Sequence, residues 1–326
     1  MKIIFFGTTI FAARNLEYLY QNGVEILSVV TNIPKKEGRG RKLTENPVKK
    51  KAEELKINTL SAKNLEDDIL TKQLIAFNAD LFIVVAFRML PKNIWTIPSM
   101  GTINLHASLL PKYRGAAPIN RVLINGEKNT GITTFFINER MDSGHILLQE
   151  EIQISKDITA AKLHDILMKK GSKLLYQTIK QVLNKRNISA SPQKDQLATK
   201  APKLNKKMTR IDWKGSVQNI HNLIRGLSPV LDEKNILKDV SIFPGAWCKF
   251  ITPENQEIRA KILLTELEVN NKEKLSIIET DNKSFLKINL NDGSILIKKI
   301  QLAGKRPMDI SEFLLGNKIN EDWKIN

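Results

Sequence analysis

Leu81-Phe82-Ile83-Val84-Val85-Ala86 is the stretch that decides the fold. It has no polar alternation, so neither face of a strand here can lie in water. A near-continuous apolar run of this length belongs to a strand covered on both faces, as in a parallel sheet. A helical pattern over 65–77 precedes it, and residues 101–106 (GTINLH) read as the next strand. The alternation continues outward in both directions. Upstream, residues 2–6 (KIIFF) and 24–30 (VEILSVV) read as strands, and 10–22 and 46–56 as helices. The second helix opens on Asn46-Pro47, where the missing proline N–H costs nothing. Downstream, 116–125 reads as a helix and 131–137 and 146–153 as strands. Over 159–184, Leu163, Ile166, Leu167, Leu174, Leu175 and Ile179 recur at helical spacing. Strands alternating with helices predict an open, mostly parallel α/β sheet.

The alternation stops near residue 185. Residues 187–207 show no period and place Ser189, Ser191, Pro192 and Pro202 among lysines, which reads as a linker. A helix is predicted over 214–226. From residue 246 the pattern changes to short strands with turns: AWCKFI (246–251), EIRAKILLTELEV (257–269), KLSIIET (274–280), SFLKINL (284–290) and GSILIKKIQL (293–302). Asp292-Gly293 reads as a hairpin turn. A small β-barrel of the OB type is expected there. At 326 residues the chain is long for one core. The expected division is an α/β domain over 1–186, a basic linker over 187–207 and a barrel domain over 208–326.

One cysteine, Cys248, excludes an intramolecular disulfide framework and a Cys-rich metal site, and fits a reducing compartment. The opening MKIIFFGTTIF reads as a first strand rather than a signal peptide. No apolar run approaches the roughly 18 residues of a membrane span. A cytoplasmic monomer with no membrane partner is expected. The charge balance is more telling: 51 basic against 34 acidic residues give +17. Such an excess points to a polyanion, nucleic acid first, or to a lysine-rich proteome. Residues 34–51 and 194–214 together hold +11 of it, whereas a general drift would be spread more evenly.

The apolar strand at 101–106 runs into Asn104-Leu105-His106-Ala107-Ser108-Leu109-Leu110-Pro111. Residues i and i+2 of a strand share a face, so Asn104 and His106 can converge on one reacting atom. Met141-Asp142-Ser143-Gly144-His145 can add a carboxylate. Taken singly, each has another reading: an Asn closing a strand end, a hydrogen-bonded structural His, and an Asp-Ser-Gly turn. His145, His164 and His221 are scattered and form no H-x-x-x-H or H-E-x-x-H pattern. G-x-S-x-G, G-x-G-x-x-G and a Walker sequence are also absent, which leaves serine hydrolase, dinucleotide and ATP sites unsupported.

The run NLHASLLPKYRGAAPI (104–119), with MDSGHIL (141–147), resembles the folate-dependent formyltransferases and, within them, the methionyl-tRNA formyltransferase family. The resemblance extends from Gly7 to about Leu315 and is densest in the middle of the chain. It implies a formyltransferase Rossmann-like domain and a carboxyl-terminal barrel. It also implies transfer of a formyl group from 10-formyltetrahydrofolate to the α-amine of methionine on initiator tRNA. That chemistry needs an oxyanion donor and proton-transfer groups, with no metal and no covalent nucleophile. The family's catalytic Asn, His and Asp fall on Asn104, His106 and Asp142.

Folate is expected at the carboxyl ends of the strands. The family's pterin loop falls on Val85–Pro91, so Phe87, Arg88, Met89 and Leu90, with Ser108, Leu109, Leu110 and Pro111, are its expected neighbours. Phe87-Arg88 stands where many members have Tyr-Gly. Gly7-Thr8-Thr9-Ile10-Phe11-Ala12 also departs from the family's G-T-P-x-F-A. The family's acceptor-end wedge falls on Gly38-Arg39-Gly40-Arg41-Lys42, with Arg39 on the wedge arginine and Arg41 and Lys42 beside it. APKLNKKMTRIDW (201–213) matches the entry to the second domain, so Lys203, Lys206 and Lys207 are expected to face phosphates. Arg225 and Lys305-Arg306 are further candidates. Gly226-Leu227-Ser228-Pro229 and Phe243-Pro244-Gly245-Ala246-Trp247 read as one motif split by an insertion. The rivals are a sugar-nucleotide N-formyltransferase and a non-catalytic RNA-binding protein on the same fold.

Overall fold

The computed structural model describes residues 1–33, 35–37, 42–44, 46–184, 189–268, 277–320 and 322–326. In chain order the first stretch comprises β1 (Lys2–Gly7), α1 (Ile10–Gln21), β2 (Glu25–Asn32), β3 (Lys35–Glu37), β4 (Lys42–Thr44), α2 (Pro47–Glu54), β5 (Asn58–Ala62), α3 (Asp68–Ala76) and β6 (Leu81–Val85). It continues with α4 (Lys92–Trp95), β7 (Thr102–His106), α5 (Pro118–Ile124), β8 (Asn129–Phe136), β9 (Ile146–Gln153) and α6 (Ala160–Leu183). After it come α7 (Val217–Leu227), β10 (Ala246–Ile251), β11 (Glu257–Glu268), β12 (Ile278–Thr280), β13 (Leu286–Leu290), β14 (Gly293–Leu302), β15 (Met308–Asp309), α8 (Ile310–Gly316) and β16 (Lys324–Ile325). Two compact units result. One holds Met1–Gly115, Thr130–Ile152 and Ile166–Lys200; the other holds Ala116–Asn129, Gln153–Asp165 and Ala201–Asn326.

The first unit is built on a sheet of order β5-β2-β1-β6-β7-β8-β9. Pairing is parallel from β5 through β7 and antiparallel between β7 and β8. β6 lies between β1 and β7 with all five residues buried, as its apolar run demands. Ile4, Phe6, Phe82 and Val84 share one core with Leu70, Leu74 and Ile94. The helices start where side chains can satisfy orphan amides. Asn46 caps α2 by accepting from Val48 N at 3.0 Å, and Asp67 caps α3 by accepting from Ile69 N at 2.9 Å.

The second unit carries an antiparallel, nearly closed barrel sheet of order β12-β13-β14-β11-β10-β16, with β15 on β14. Val217, Ile220, Ile224 and Leu227 of α7 join Cys248, Phe250, Ile262, Ile295 and Ile297 of the strands in its core. The hairpin between β13 and β14 corrects the expected turn by one residue. Leu290 pairs with Gly293, so Asn291-Asp292 forms the turn. Asp292 is thereby free to accept from Val217 N at the start of α7, at 3.1 Å.

α5 belongs with α7 rather than with the sheet that flanks it in sequence. Asn120 donates to the carbonyls of Gly226 (2.8 Å) and Ile242 (2.9 Å). Gly226 permits the approach: a Cβ there would stand 2.7 Å from Ile124 Cγ1 and 3.1 Å from its backbone N. Arg225 is also part of this contact. It is buried, with Nε donating to Asn222 Oδ1 at 2.9 Å, so the expected role facing RNA does not hold for it. Helical packing claimed that guanidinium first.

His164 is buried edge-on against Phe243, with centroids 5.5 Å apart. Burial pushes its imidazole down to about 4, against the opposing pull of Asp239 and Asp165. The unfolded His binds its proton near pH 6.5. The folded state therefore keeps the full benefit above that value and loses it as pH falls toward 4, by about 3 kcal/mol in all. Melting temperature is expected to drop over pH 6.5 to 4, and His164→Phe should flatten that drop. An unchanged pH dependence in the variant would remove His164 as its cause.

Candidate active site

β7 ends on the two side chains of interest. Val84 of β6 flanks Asn104 on one side and Phe135 of β8 on the other, while Thr133 pairs with His106. A strand held on both sides fixes the direction of the residues it carries. Asn104 is half-buried, and its amide makes no hydrogen bond with the described residues. An unspent amide at a strand end is available to a ligand oxygen.

His106 is 7 % exposed. Its Nε2 lies 2.9 Å from the carbonyl oxygen of Tyr113. A carbonyl only accepts, so Nε2 carries the hydrogen and Nδ1 is the nitrogen left to exchange a proton. Nδ1 faces Asp142 Oδ2 at 3.7 Å. That spacing exceeds a direct hydrogen bond and suits transfer through one water.

Two loops hold this pair. The first, after β7, is tied down within itself and to β8 and β9. Ser108 Oγ donates to Lys112 O at 2.7 Å, Thr133 Oγ1 donates to Ser108 O at 2.7 Å, and Gln149 Nε2 donates to Leu110 O at 2.8 Å. The peptide between Leu110 and Pro111 is cis. Tyr113, at φ 62°, sits in the left-handed region that bulky residues avoid. Thr199 Oγ1 accepts from its N–H at 2.8 Å. That twist turns the Tyr113 carbonyl toward His106.

The second loop joins β8 to β9 and bears Asp142. Asp142 has φ 50°, a conformation Asp tolerates better than most residues. Gly115 N donates to its Oδ2 at 2.8 Å. Gly144 lets the loop close on β8: a Cβ there would stand 1.6 Å from Phe136 O. Gln193 Nε2 donates to Asp142 O (3.0 Å) and Gly144 O (2.8 Å).

The loop after β6 starts at Ala86, with φ 47°. Phe87 packs edge-on against Phe6 at 5.8 Å, and Leu90 is in the core. Arg88 donates to the carbonyls of Ala62 and Lys63 at the end of β5, the latter at 2.9 Å. Met89 is 64 % exposed. Of the expected folate neighbours, Leu90 and Leu110 are buried, the hydroxyl of Ser108 and the carbonyls of Ser108 and Leu110 are already hydrogen-bonded, and Met89 is open. Among the described residues no group of three or more His, Cys, Asp or Glu could hold a metal ion, and no helix is long and apolar enough to cross a membrane.

Arg39 and Arg41 lie outside the described residues, and Lys42 is described only as backbone of β4. Lys203, Lys206 and Lys207 are exposed. Lys305 and Arg306 are exposed too, and Arg306 pairs with Glu312 at 2.5 Å. His145 is an exposed turn residue. A basic and aromatic cluster on the barrel escaped the sequence reading. Arg259 stacks 4.1 Å from the Trp247 ring and Arg210 lies 5.7 Å from it. Lys261 pairs with Trp247 across the strands, and burial and then neighbouring Arg259 hold its ammonium below the usual range. The signal was present in the outward positions of AWCKFI and EIRAKI, which read Trp-Lys and Arg-Lys.

With this geometry in place, the chain compares as follows. Residues 1–179 match the model of the formyl transferase family, and residues 203–318 match that of the formyl transferase carboxyl-terminal domain. A methionyl-tRNA formyltransferase of Flavobacterium johnsoniae is 41% identical, with 100% of this chain and 99% of that protein covered. One from Bacteroides thetaiotaomicron is 36% identical, with 100% and 98% covered. The chain belongs to the methionyl-tRNA formyltransferase family. Solved relatives share the fold at lower identity. An N-formyltransferase of Helicobacter canadensis, in complex with folinic acid and dTDP-3-aminofucose, superposes with a TM-score of 0.64 at 20% identity, covering 93% of this chain and 100% of its own. HypX of Aquifex aeolicus, in complex with tetrahydrofolic acid, gives 0.63 at 15%, covering 96% of this chain and 47% of its own.

Proposed function

We propose that the chain, acting as a cytoplasmic monomer, transfers a formyl group from 10-formyltetrahydrofolate to the α-amine of methionine on initiator tRNA. The observation that carries this reading is the His106–Asp142 pair, 3.7 Å apart at the end of the strand that also bears the unspent amide of Asn104. In a family of formyl transferases that set has one economical use. The neutral amine forms a bond to the formyl carbon, and the carbonyl electrons move onto oxygen. Asn104 donates to that oxygen as its charge grows, which is where a fixed donor in a water-poor site lowers a barrier most. His106, through Nδ1, takes the proton the attacking nitrogen must lose and returns one to the departing folate nitrogen, so the carbon–nitrogen bond to the donor breaks as a neutral amine leaves. Asp142 steers that proton and stabilises the imidazolium between the two transfers.

The loop after β6 and the Ser108–Pro111 segment are the proposed folate neighbours: Phe87, Arg88, Met89 and Leu90, with Leu109 and Leu110. The contacts would be chiefly with the backbone of the loop after β6, since Arg88, Leu90 and Ser108 direct their side chains inward and the carbonyls of Ser108 and Leu110 already accept hydrogen bonds. The proposed tRNA contacts are Arg39, Arg41, Lys42, Lys203, Lys206 and Lys207, with the Trp247–Arg259 cluster of the barrel added. The limits of the two family matches support a division near 186 and 208. Replacing Lys203, Lys206 and Lys207 together with Ala is expected to reduce the slope of log affinity against log salt by about 0.7–0.9 for each lost phosphate contact. An unchanged slope would place the phosphates elsewhere.

Acceptor choice tests the function itself. Charged initiator methionyl-tRNA and an amino-sugar nucleotide are offered with 10-formyltetrahydrofolate. Formylation of the tRNA alone is expected. Formylation of the sugar alone would make the chain a sugar N-formyltransferase, and formylation of neither would leave an RNA-binding protein.

A further inference from the structure

Gln193 joins, through one side chain, the two loops that hold His106 and Asp142. Its Nε2 donates to the carbonyls of Asp142 and Gly144, and its Oε1 accepts from Nε (3.1 Å) and Nη2 (2.7 Å) of Arg114. Every polar position of the amide is engaged. The partners also fix which way it points, because carbonyls only accept and a guanidinium only donates. Arg114 stands between Tyr113, whose carbonyl meets His106, and Gly115, whose N–H meets Asp142 Oδ2. Asp195 reinforces the joint by accepting from Arg114 Nη2 at 2.8 Å and from Arg140 Nη1, in the Asp142 loop, at 3.0 Å. The segment itself is fastened on both sides of Gln193. Ser191 exchanges backbone hydrogen bonds with Ile146, and Thr199 O accepts from Arg114 N at 2.9 Å. Ordinary solvent-exposed connecting chain has no reason to spend a fully bonded amide this way.

We infer that Gln193 is a positioning residue for formyl transfer, and that it sets the separation of Asp142 from His106 by clamping the Asp142 turn to the Tyr113–Gly115 loop. This rests on the catalytic reading of His106 and Asp142 given above. Removing the amide takes the donor from the Asp142 and Gly144 carbonyls and leaves the Arg114 guanidinium with Asp195 alone, so the left-handed Asp142 turn keeps only the Asp195 bridge and the Gly115 N–H to hold it to the Tyr113–Gly115 loop. Gln193→Glu keeps the shape and the Arg114 contact but sets a carboxylate against two carbonyl oxygens, so it should also fail. Neither change touches a substrate, so the effect belongs in kcat and not in the folate KM.

The experiment is a double-mutant cycle on single-turnover formylation, using the full chain, initiator methionyl-tRNA and 10-formyltetrahydrofolate. Gln193→Ala is expected to lower the rate roughly 10- to 100-fold with the folate KM within about twofold. In an Asp142→Asn background the same change should cost less than about twofold, because its target is already gone. Equal losses in both backgrounds, or a near wild-type rate for Gln193→Ala, would overturn the inference. If Gln193→Ala does not fold, Gln193→Glu decides by the same two comparisons. Failure of the catalytic reading looks different: Asp142→Asn alone would then keep its activity.

Discussion

His106→Ala is expected to lower the rate of formyl transfer by about 10²- to 10⁴-fold while folate and tRNA still bind, the usual range for losing a positioned acid–base group. The size follows from the geometry. One ring nitrogen is committed to Tyr113 O, and the other is the proton-exchanging atom nearest Asp142. The other three histidines have different surroundings: His145 is exposed in its turn, and His164 and His221 are buried. The variant removes the hydrogen bond from the imidazole to the Tyr113 carbonyl, a loss of about 0.5–1.5 kcal/mol. It should therefore melt somewhat lower than the wild type but remain folded at 25 °C. Melting curves beside single-turnover rates check both parts. A variant that folds and keeps its rate removes His106 from the chemistry.

Asn104→Ala is expected to cost about 10²- to 10³-fold, or roughly 3–4 kcal/mol of transition-state stabilisation, as removal of an oxyanion donor generally does. Its amide contributes no hydrogen bond to the described residues, so stability should barely change. The two variants thus separate in their melting behaviour while sharing a loss of rate. Asn104→Asp is the sharper form of the test. It is nearly isosteric, but it replaces a donor with a charge that repels the developing oxyanion, and it should be at least as damaging as alanine. A rate close to wild type for Asn104→Asp would show that no negative charge develops near this side chain.

Much of the fold was legible in the sequence because periodicity and end signals agreed. The run Leu81–Ala86 declared a strand buried on both faces, which ends one residue early at Val85 because Ala86 is exposed at φ 47°, and Asn46-Pro47 marked the start of α2. AWCKFI and GSILIKKIQL became β10 and β14 residue for residue. Two parts were not legible. The grouping of α5 with α7 depends on Asn120 reaching carbonyls more than 100 residues away, and carbonyls leave no trace in a sequence. Arg225 looked like a surface cation because charge gives no hint of burial when the partner is Asn222 on the same helix.

The candidate site divides in the same way. Asn104 and His106 were readable as a strand pair two residues apart, and Asp142 through its turn. The atoms that orient them were not. The carbonyl of Tyr113, the amide of Gly115 and the carbonyl of Gly144 are generic backbone, and their aim comes from left-handed conformations at Tyr113 and Asp142. Gln193 lies 49 to 79 residues from its partners in a stretch that reads as linker, and no local pattern announces it.

The most direct test of the account is to mix the chain with 10-formyltetrahydrofolate and charged initiator methionyl-tRNA, release the amino acid by hydrolysis, and weigh it by mass spectrometry. The same is done for a chain in which Asn104, His106 and Asp142 are all replaced. The account predicts N-formylmethionine from the wild type and only the slow uncatalysed background from the triple variant. Unmodified methionine from the wild type, or formylmethionine formed at the wild-type rate by the triple variant, would contradict it.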